Sequence, residues 1–462
     1  MQKVSVVSTN DIRYNNEGHI YKMVEESFIL LELDKEKFGT DEWNPLGTYI
    51  KPGNNVVIKP NLVLHKNYLK GHEGDVECVY TQPSVVKPII DYVIKAQHGE
   101  GKIVVGDAPI QECDFDKLIN ESGYKKLIDG YKEKGYNIEL KDFRGVVSVS
   151  DYGVLHQQIR KEAEFCIVNV GEKSEFSDVP EESIKKIRIT NYNPDELVKH
   201  HNEGVHEYCL AKDILDADVI INVPKPKTHR KAGLTACLKN LVGINCRKEY
   251  LPHHTLGSNS ENGDEYKEGS SFKKLRAKNH DLFCYSVYQE KYFKARFFQL
   301  IVILQDFIIN KFYKDKTSYG SWSGNNTISR TIVDLNKILL YADKQGVMRS
   351  TRQRKVFNVA DMVISGEKNG PMAPSSKNVG LILSGDNSYL VDLTIANLMG
   401  MKTDLVPTLN CLKNANKKMC IFDDSEVIIK SNDEKYNNKC PSDLFGYFCF
   451  VPPEGWENVF NK

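Results

Sequence analysis

The chain has 462 residues, 40% of them hydrophobic, and its 62 Lys and Arg balance its 62 Asp and Glu. That length accommodates two or three domains with a substantial core, and the balance excludes a global field that would recruit nucleic acid or an anionic membrane, so any basic patch must be local. Eleven cysteines are scattered from Cys78 to Cys449 without a CxxC or other close ligand pair, which argues against a zinc ribbon or an iron–sulfur cluster. The opening MQKVSVVSTNDIRY lacks the apolar core and small-residue cleavage site of a signal peptide, and a cytoplasmic protein with reduced thiols is expected.

In chain order, residues 56–59 form a short strand entering PNLV, 84–97 read as a helix, and 102–105 form a second strand ending in GDAP. This is a βαβ unit of a parallel sheet, with Lys59, Asn61 and Asp107 at a common strand edge. Residues 163–170 and 217–223 supply further strands, with a helix predicted over 210–217. The expected fold is α/β, with a parallel or mixed doubly wound sheet in the first half and a second α/β lobe after a helical insertion. The corresponding segments are an N-terminal α/β domain (1–257), an insertion (258–330), a second α/β segment (331–410) and a tail packing on the core (411–462). In the second segment, 331–341 is a predicted helix, 356–365 and 380–384 contain strands, and GEKNGPMAP between them is a turn-rich loop.

Within the insertion, FFQLIVILQDFII at 297–309 is too short to span a bilayer and contains Gln299, Gln305 and Asp306, so no transmembrane span is expected. Its apolar residues, among them Phe297, Leu300, Leu304 and Phe307, recur at helical spacing. They predict a buried or interdomain helix, with an interfacial helix or an oligomer or peripheral contact as the alternative.

Chemistry concentrates in VIINVPKPKTHRKAGLTACLKNLVGINCRKEYLPHH at 219–254. A β-branched run stops at Pro224, which cannot donate to a ladder, and the cations after it therefore sit at a strand's C-terminal mouth, where α/β sheets bind ligands. Lys225, Lys227, Lys239 and Asn240 suit a small anionic substrate. His229 and a member of the His253-His254 pair, taken as His254, are the proton-transfer or metal-ligand candidates. Adjacent residues point different ways, so at most one member of each of the pairs His200-His201 and His253-His254 is expected at the site. Gly233, Gly243 and the small Thr235, Ala236 and Cys237 suggest close backbone approach. Glu367 and Asn369 either close the cleft from the second half or belong to an ordinary Gly/Pro turn. Neither GDAP nor GSWSGNNT has Walker or GxGxxG spacing, and there is no GxSxG elbow or HExxH helix.

The segments VVIKPNLV, TQPSVV, VVGDAP, ADVIINVPKPKTHRKAGLTACLKNLVGIN, LPHH, DLN and GEKNGP, in that order over roughly residues 50–400, resemble the DUF362 family of uncharacterised bacterial and archaeal proteins. Some members carry an appended ferredoxin domain, whose cysteines this chain lacks. Longer members are associated with surface polysaccharide or specialised-metabolite pathways. A more distant resemblance is to the nickel-pincer lactate racemases. His229 lies ten residues before Lys239, and His253 and His254 follow, in the order and spacing of that family's histidine, lysine and second histidine. However, LTACL stands where that family has tandem glycines, and KPNLV where it has a Thr-Arg-Pro segment.

The reading that follows is an enzyme for a small anionic substrate, bound by Lys59, Asn61, Asp107, Lys225, Asn240, Glu367 and Asn369. Lys227, His229, Lys239 and His254 carry hydride or proton transfer. A divalent metal on His229 and His254 is the candidate cofactor. The rivals are a non-catalytic binding or assembly protein for a phosphorylated glycan precursor and a group-transfer enzyme.

Overall fold

The computed structural model describes residues 2–415, 419–422 and 425–460. Met1 and residues 416–418, 423–424 and 461–462 of the segments assigned above lie outside the described residues.

One ten-stranded sheet organises the molecule. Its strands are β1 (Gln2–Ser8), β2 (Val56–Pro60), β3 (Ile103–Asp107), β4 (Ile138–Asp142), β5 (Val219–Val223), β6 (Lys227–His229), β7 (Gly233–Thr235), β8 (Lys355–Asn369), β9 (Ala373–Gly385) and β10 (Val427–Ser431). The order is β10-β1-β9-β8-β5-β2-β3-β4, with the small β6–β7 hairpin attached to β8. All neighbours on this path pair in parallel except at β9, which is antiparallel to both β8 and β1. Both the second α/β segment (β8, β9) and the tail (β10) join this same sheet.

The inner strands are apolar on both faces, as burial between two helical layers requires. Ile58, Val105 and Ile221 face the core beneath helices Glu17–Leu30 and Pro83–Gln97. Their chain neighbours Val57, Val104 and Ile220 face the opposite layer, which includes Leu335, Ile338 and Leu339 of helix Thr327–Tyr341. From β2 the chain proceeds outward to β3 and β4, and then returns to the other side of β2 as β5. The C-terminal ends of β2 and β5 therefore flank a topological switch point, where a crevice opens. Their registers are level, Asn222 opposite Lys59 and Val223 opposite Pro60.

Four expectations are corrected. The helix predicted over 210–217 begins only at Lys212 (Lys212–Asp216), because Val205–Ala211, with Tyr208–Ala211 all buried, pairs as a strand. That strand pairs with Phe165–Asn169, so the segment at 163–170 belongs to a separate three-stranded antiparallel sheet. The GEKNGPMAP loop shrinks to the turn of the β8–β9 hairpin, whose pairing runs to Asn369 opposite Ala373. Finally, the apolar insertion helix, Tyr292–Phe312, packs on helix Ser271–Tyr288 through Val302, Gln305 and Ile309, leaving Leu300, Leu304 and Phe307 more than half exposed.

Candidate functional site

Three lysines at the strand mouth are completely buried and committed to the protein. Lys59, on β2, lies 2.6 Å from Asp107 Oδ1 at the end of β3, and donates to Pro60 O (2.9 Å) and Asn240 Oδ1 (3.0 Å). Burial pushes the Asp107 carboxyl up, opposed by the Lys59 charge, and its Oδ2 accepts from Leu62 N at 2.7 Å. Lys225 lies 2.7 Å from Asp361 and also donates to Tyr14 Oη (2.7 Å) and Ile364 O (3.0 Å). Lys227 donates to Asn61 Oδ1 and Val79 O (2.6 and 2.5 Å) and has no ion pair among the described residues. Burial, and then the Lys225 charge, lowers it to about 7.

An amide chain ties Lys59 and Lys227 together. Asn61 Nδ2 donates to Asn240 Oδ1 (3.0 Å), Asn240 Nδ2 to Asn222 Oδ1 (2.8 Å), and Asn222 Nδ2 to Asn358 Oδ1 (2.9 Å). The chain crosses the C-terminal ends of β2 and β5 to Asn358, where β8 pairs with β5, and satisfies groups that burial would otherwise penalise. Asn240 is placed by the short helix Cys237–Asn240, whose first amides donate to Asp392 (2.6 and 3.0 Å). Burial raises that carboxyl to about 7. Gly243 follows because nothing larger fits: a Cβ there would lie 1.9 Å from Asp107 Oδ1 and 2.7 Å from Lys59 Nζ. Gly233, at φ +76°, is pressed against the ring of Trp456, whose Nε1 donates to Arg230 O at 2.6 Å, so the tail buttresses the β6–β7 hairpin.

Outside this floor lies a cleft of 390 Å³, lined among others by His229, Thr235, Lys239, Lys248 and His253. The ammonium groups of Lys239 and Lys248 have no hydrogen bond or ion pair among the described residues. Burial, and then the Lys59 charge, lowers Lys239 to about 8, while burial, partly offset by Glu112, lowers Lys248 to about 8. The buried Thr235 Oγ1 has no partner either. Lys231 donates to Thr190 Oγ1 (2.9 Å) and to Tyr319 O (2.6 Å), the latter from the insertion. A cavity of 750 Å³ at the opposite, N-terminal edge of the strands is larger. However, its Arg354 is committed to the carbonyls of Leu215, Ala217, Leu339 and Ala342. Arg352, which also lines that larger cavity, is exposed; the switch-point cleft holds partly buried unpaired cations together with the imidazoles.

Hydrogen bonding assigns the two imidazoles opposite tautomers. His229 Nδ1 accepts from Lys231 N (3.0 Å) and Ala232 N (3.1 Å), so in the neutral ring the proton is on Nε2. Burial, and then the charges of Lys239 and Lys231, holds it well below the usual histidine value. His253 Nδ1 lies 2.6 Å from Leu251 O and must donate to it, which leaves Nε2 with a lone pair. Burial and the Lys231 charge depress it likewise. One imidazole therefore offers a donor and the other an acceptor.

Of the residues singled out from sequence, His229, Lys239, Asn61, Asn240 and Asp107 line the cleft. Lys59, Lys225 and Lys227 lie beneath or beside it with their charges already engaged. His254 does not line it; it is buried in a two-residue strand opposite Arg188, and its Nδ1 has no partner. Tandem residues take opposite sides, and it is His253 that faces the cleft. Glu367 Oε2 accepts from Val451 N (3.0 Å) and Asn369 Oδ1 from Glu454 N (3.3 Å), so both hold the tail. No cluster of three His, Cys, Asp or Glu suited to a metal occurs among the described residues, and the His229 tautomer presents a proton rather than a lone pair. Lys248, Lys231 and Thr235 were not singled out as site residues, although all lie within the 219–254 motif.

A family model described as "Domain of unknown function (DUF362)" matches residues 56–171 and 167–397. The thylakoid-associated protein sll1697 of Synechocystis sp. is 27% identical over 198 residues, which is 43% of this chain and 41% of that protein. The likeness to lactate racemases rests on the spacing of His229, Lys239 and the His253-His254 pair alone.

Proposed function

The chain belongs to the DUF362 family, and from that premise we propose that it is an enzyme catalysing proton transfer at a carbon beside an oxygen-bearing carbon of a small carboxylate or phosphate ester. The observation that carries this reading is the pair of opposite histidine tautomers beside unpaired lysines in one cleft. Lys248 and the Thr235 hydroxyl hold the anion. His253 Nε2 takes the proton from carbon. The His229 Nε2–H and the Lys239 ammonium donate to the oxygen on which negative charge develops, the arrangement that stabilises an enolate. The bound anion offsets the neighbouring cations that depress His253, raising its basicity when substrate is present. Hydride transfer from a carbinol would place His253 on the hydroxyl proton and requires an acceptor of the nicotinamide, flavin or metal-pincer class. Proton transfer is preferred because cleft residues fill every role in it.

The test is deuterium exchange. The protein is incubated in D2O with 2-hydroxy acids, 2-oxo acids and sugar phosphates, and loss of carbon-bound proton signals is followed by NMR. The expected result is exchange at one carbon of one anion class, slowed about a hundredfold or more in a folded His253→Asn variant. Absence of exchange with every anion that binds, or exchange indifferent to His253→Asn, overturns the proposal.

A further inference from the structure

The insertion helix Tyr292–Phe312 is apolar on two opposite faces, and only one has a partner. Ala295, Val302, Gln305 and Ile309 are buried, the packing being against helix Ser271–Tyr288. On the other face Phe293, Phe297, Leu300, Leu304 and Phe307 are 90, 60, 52, 59 and 57% exposed. At 100° per residue these five fall within one narrow stripe. Tyr152, 79% exposed at the turn of the hairpin Val146–Asp151 and Val154–Ile159, stacks on Tyr292 with ring centres 5.9 Å apart and extends the apolar surface beyond the helix start.

Charge is arranged around this stripe in a definite way. Between Arg296 and Lys311 the single charged residue is Asp306, which pairs with Arg276 at 2.8 Å. Lys294 and Arg296 stand exposed at one end, and Lys311 and Lys314 at the other. The two ends are about 22 Å apart along the axis. Lys311 Nζ lies over the rings of Phe307 and Phe312, 5.7 and 5.4 Å from their centres, so a cation sits at the aromatic end of the stripe. Of the nearby acids, Asp315 pairs with Lys273, and Glu290 precedes the helix.

We infer that this face docks on the surface of an anionic lipid bilayer, with the helix lying in the interfacial plane. Aromatic and leucine side chains enter the headgroup boundary, and the cations at both ends meet lipid phosphates. No helix among the described residues is long and apolar enough to cross a membrane, so the contact is peripheral. A second copy of this chain fits the face less well. Two-fold pairing sets a cationic end against a cationic end whether the helices run parallel or antiparallel. The inference stands on the insertion alone and is independent of the chemistry proposed for the cleft.

The test is flotation of the full chain with vesicles of phosphatidylcholine alone and with about a third phosphatidylglycerol. Binding is expected to the anionic vesicles only. It should fall about tenfold or more in Phe297→Asp/Leu304→Glu and about fivefold in Lys311→Gln, and should weaken as salt is raised. All three side chains are exposed, so thermal melting should be unchanged and loss of binding reads the surface rather than the fold. Failure to float with anionic vesicles overturns the inference. If light scattering then shows a dimer dispersed by Phe297→Asp/Leu304→Glu, the face joins two copies instead.

Discussion

The 219–254 motif and the strand end at Lys59 carry two sets of lysines that sequence does not separate. Lys59, Lys225 and Lys227 are fully buried and bonded to Asp107, Asp361, Tyr14 and the amide chain. Lys239 and Lys248 border the cleft without partners. The inner set holds the strand ends in register, and in the function proposed above the outer set meets the anion. The difference comes from position: Lys59 on β2, Lys227 on β6 and Lys225 in the short link between β5 and β6 reach partners at the strand mouth, whereas Lys239 and Lys248 lie on the short helix and the turn beyond the sheet and border the cleft.

This contrast can be broken most forcefully at the inner set. Replacing Lys225 by Met strands the Asp361 carboxylate in a fully buried site, and a loss of about 3–5 kcal/mol is expected in urea unfolding, where breaking one side of a buried pair is the dominant effect. Gly243→Ala drives a methyl into the Lys59–Asp107 contact. A cost of about 1–3 kcal/mol should appear in the same measurement, and anion binding should weaken with it as the cleft floor shifts. Lys239→Ala should do the reverse, leaving the unfolding midpoint nearly unchanged while deuterium exchange at carbon slows about ten- to a hundredfold, the worth of a charge-assisted contact to the developing oxyanion. An equal loss of stability in Lys239→Ala would erase the distinction between the sets.

Two pH experiments sharpen it further. Lys227 is lowered from 10.5 to about 7 by burial, so the unfolded chain binds more protons than the native one between those values. Stability contributed by this group should therefore rise with pH from about 7 toward 10, and Lys227→Met should flatten that rise in urea midpoints. At the outer set the same kind of shift acts on binding. With Lys239 and Lys248 at about 8, anion affinity should decline as pH passes that value, and binding there should take up protons, measured as a buffer-dependent heat. The smallest effect is expected at Glu367→Gln, which loses a partly screened contact with Lys377 and the tail: about 0.5 kcal/mol or less, with anion binding unchanged.

Much of the sheet was legible because its strands are continuous apolar runs with hard stops: VVIKP ends on Pro60, IVVGD on Gly106-Asp107, and VIINV is followed by Pro224, while the intervening Pro83–Gln97 helix shows helical periodicity. The strand Val205–Ala211 was read partly as helix because its tail, YCLA, runs directly into a real helical turn without punctuation. The insertion helix misled for a different reason. Periodicity identifies an apolar face but not whether anything covers it, and here two apolar faces share one helix. Among the site residues, Lys239 and His229 were found from motif density. The choice of His253 over His254 depended on a two-residue strand opposite Arg188, a pairing 66 residues away in sequence terms that no local pattern encodes.

By itself the sequence determined the α/β class, the strand ends on which charge collects, and the glycine at 243, because hydrophobic periodicity and backbone sterics act between near neighbours. Only tertiary structure decided that β8, β9 and β10 extend the same sheet as β2 and β5, and which lysines are buried against carboxylates. It also decided which imidazole nitrogen carries a proton. The shared sheet and the lysine–carboxylate pairs are settled by partners brought together from distant parts of the chain, and burial makes the presence or absence of such a partner worth more than any local preference; the tautomers are set by backbone groups two or three residues away once the fold has turned those groups toward the rings.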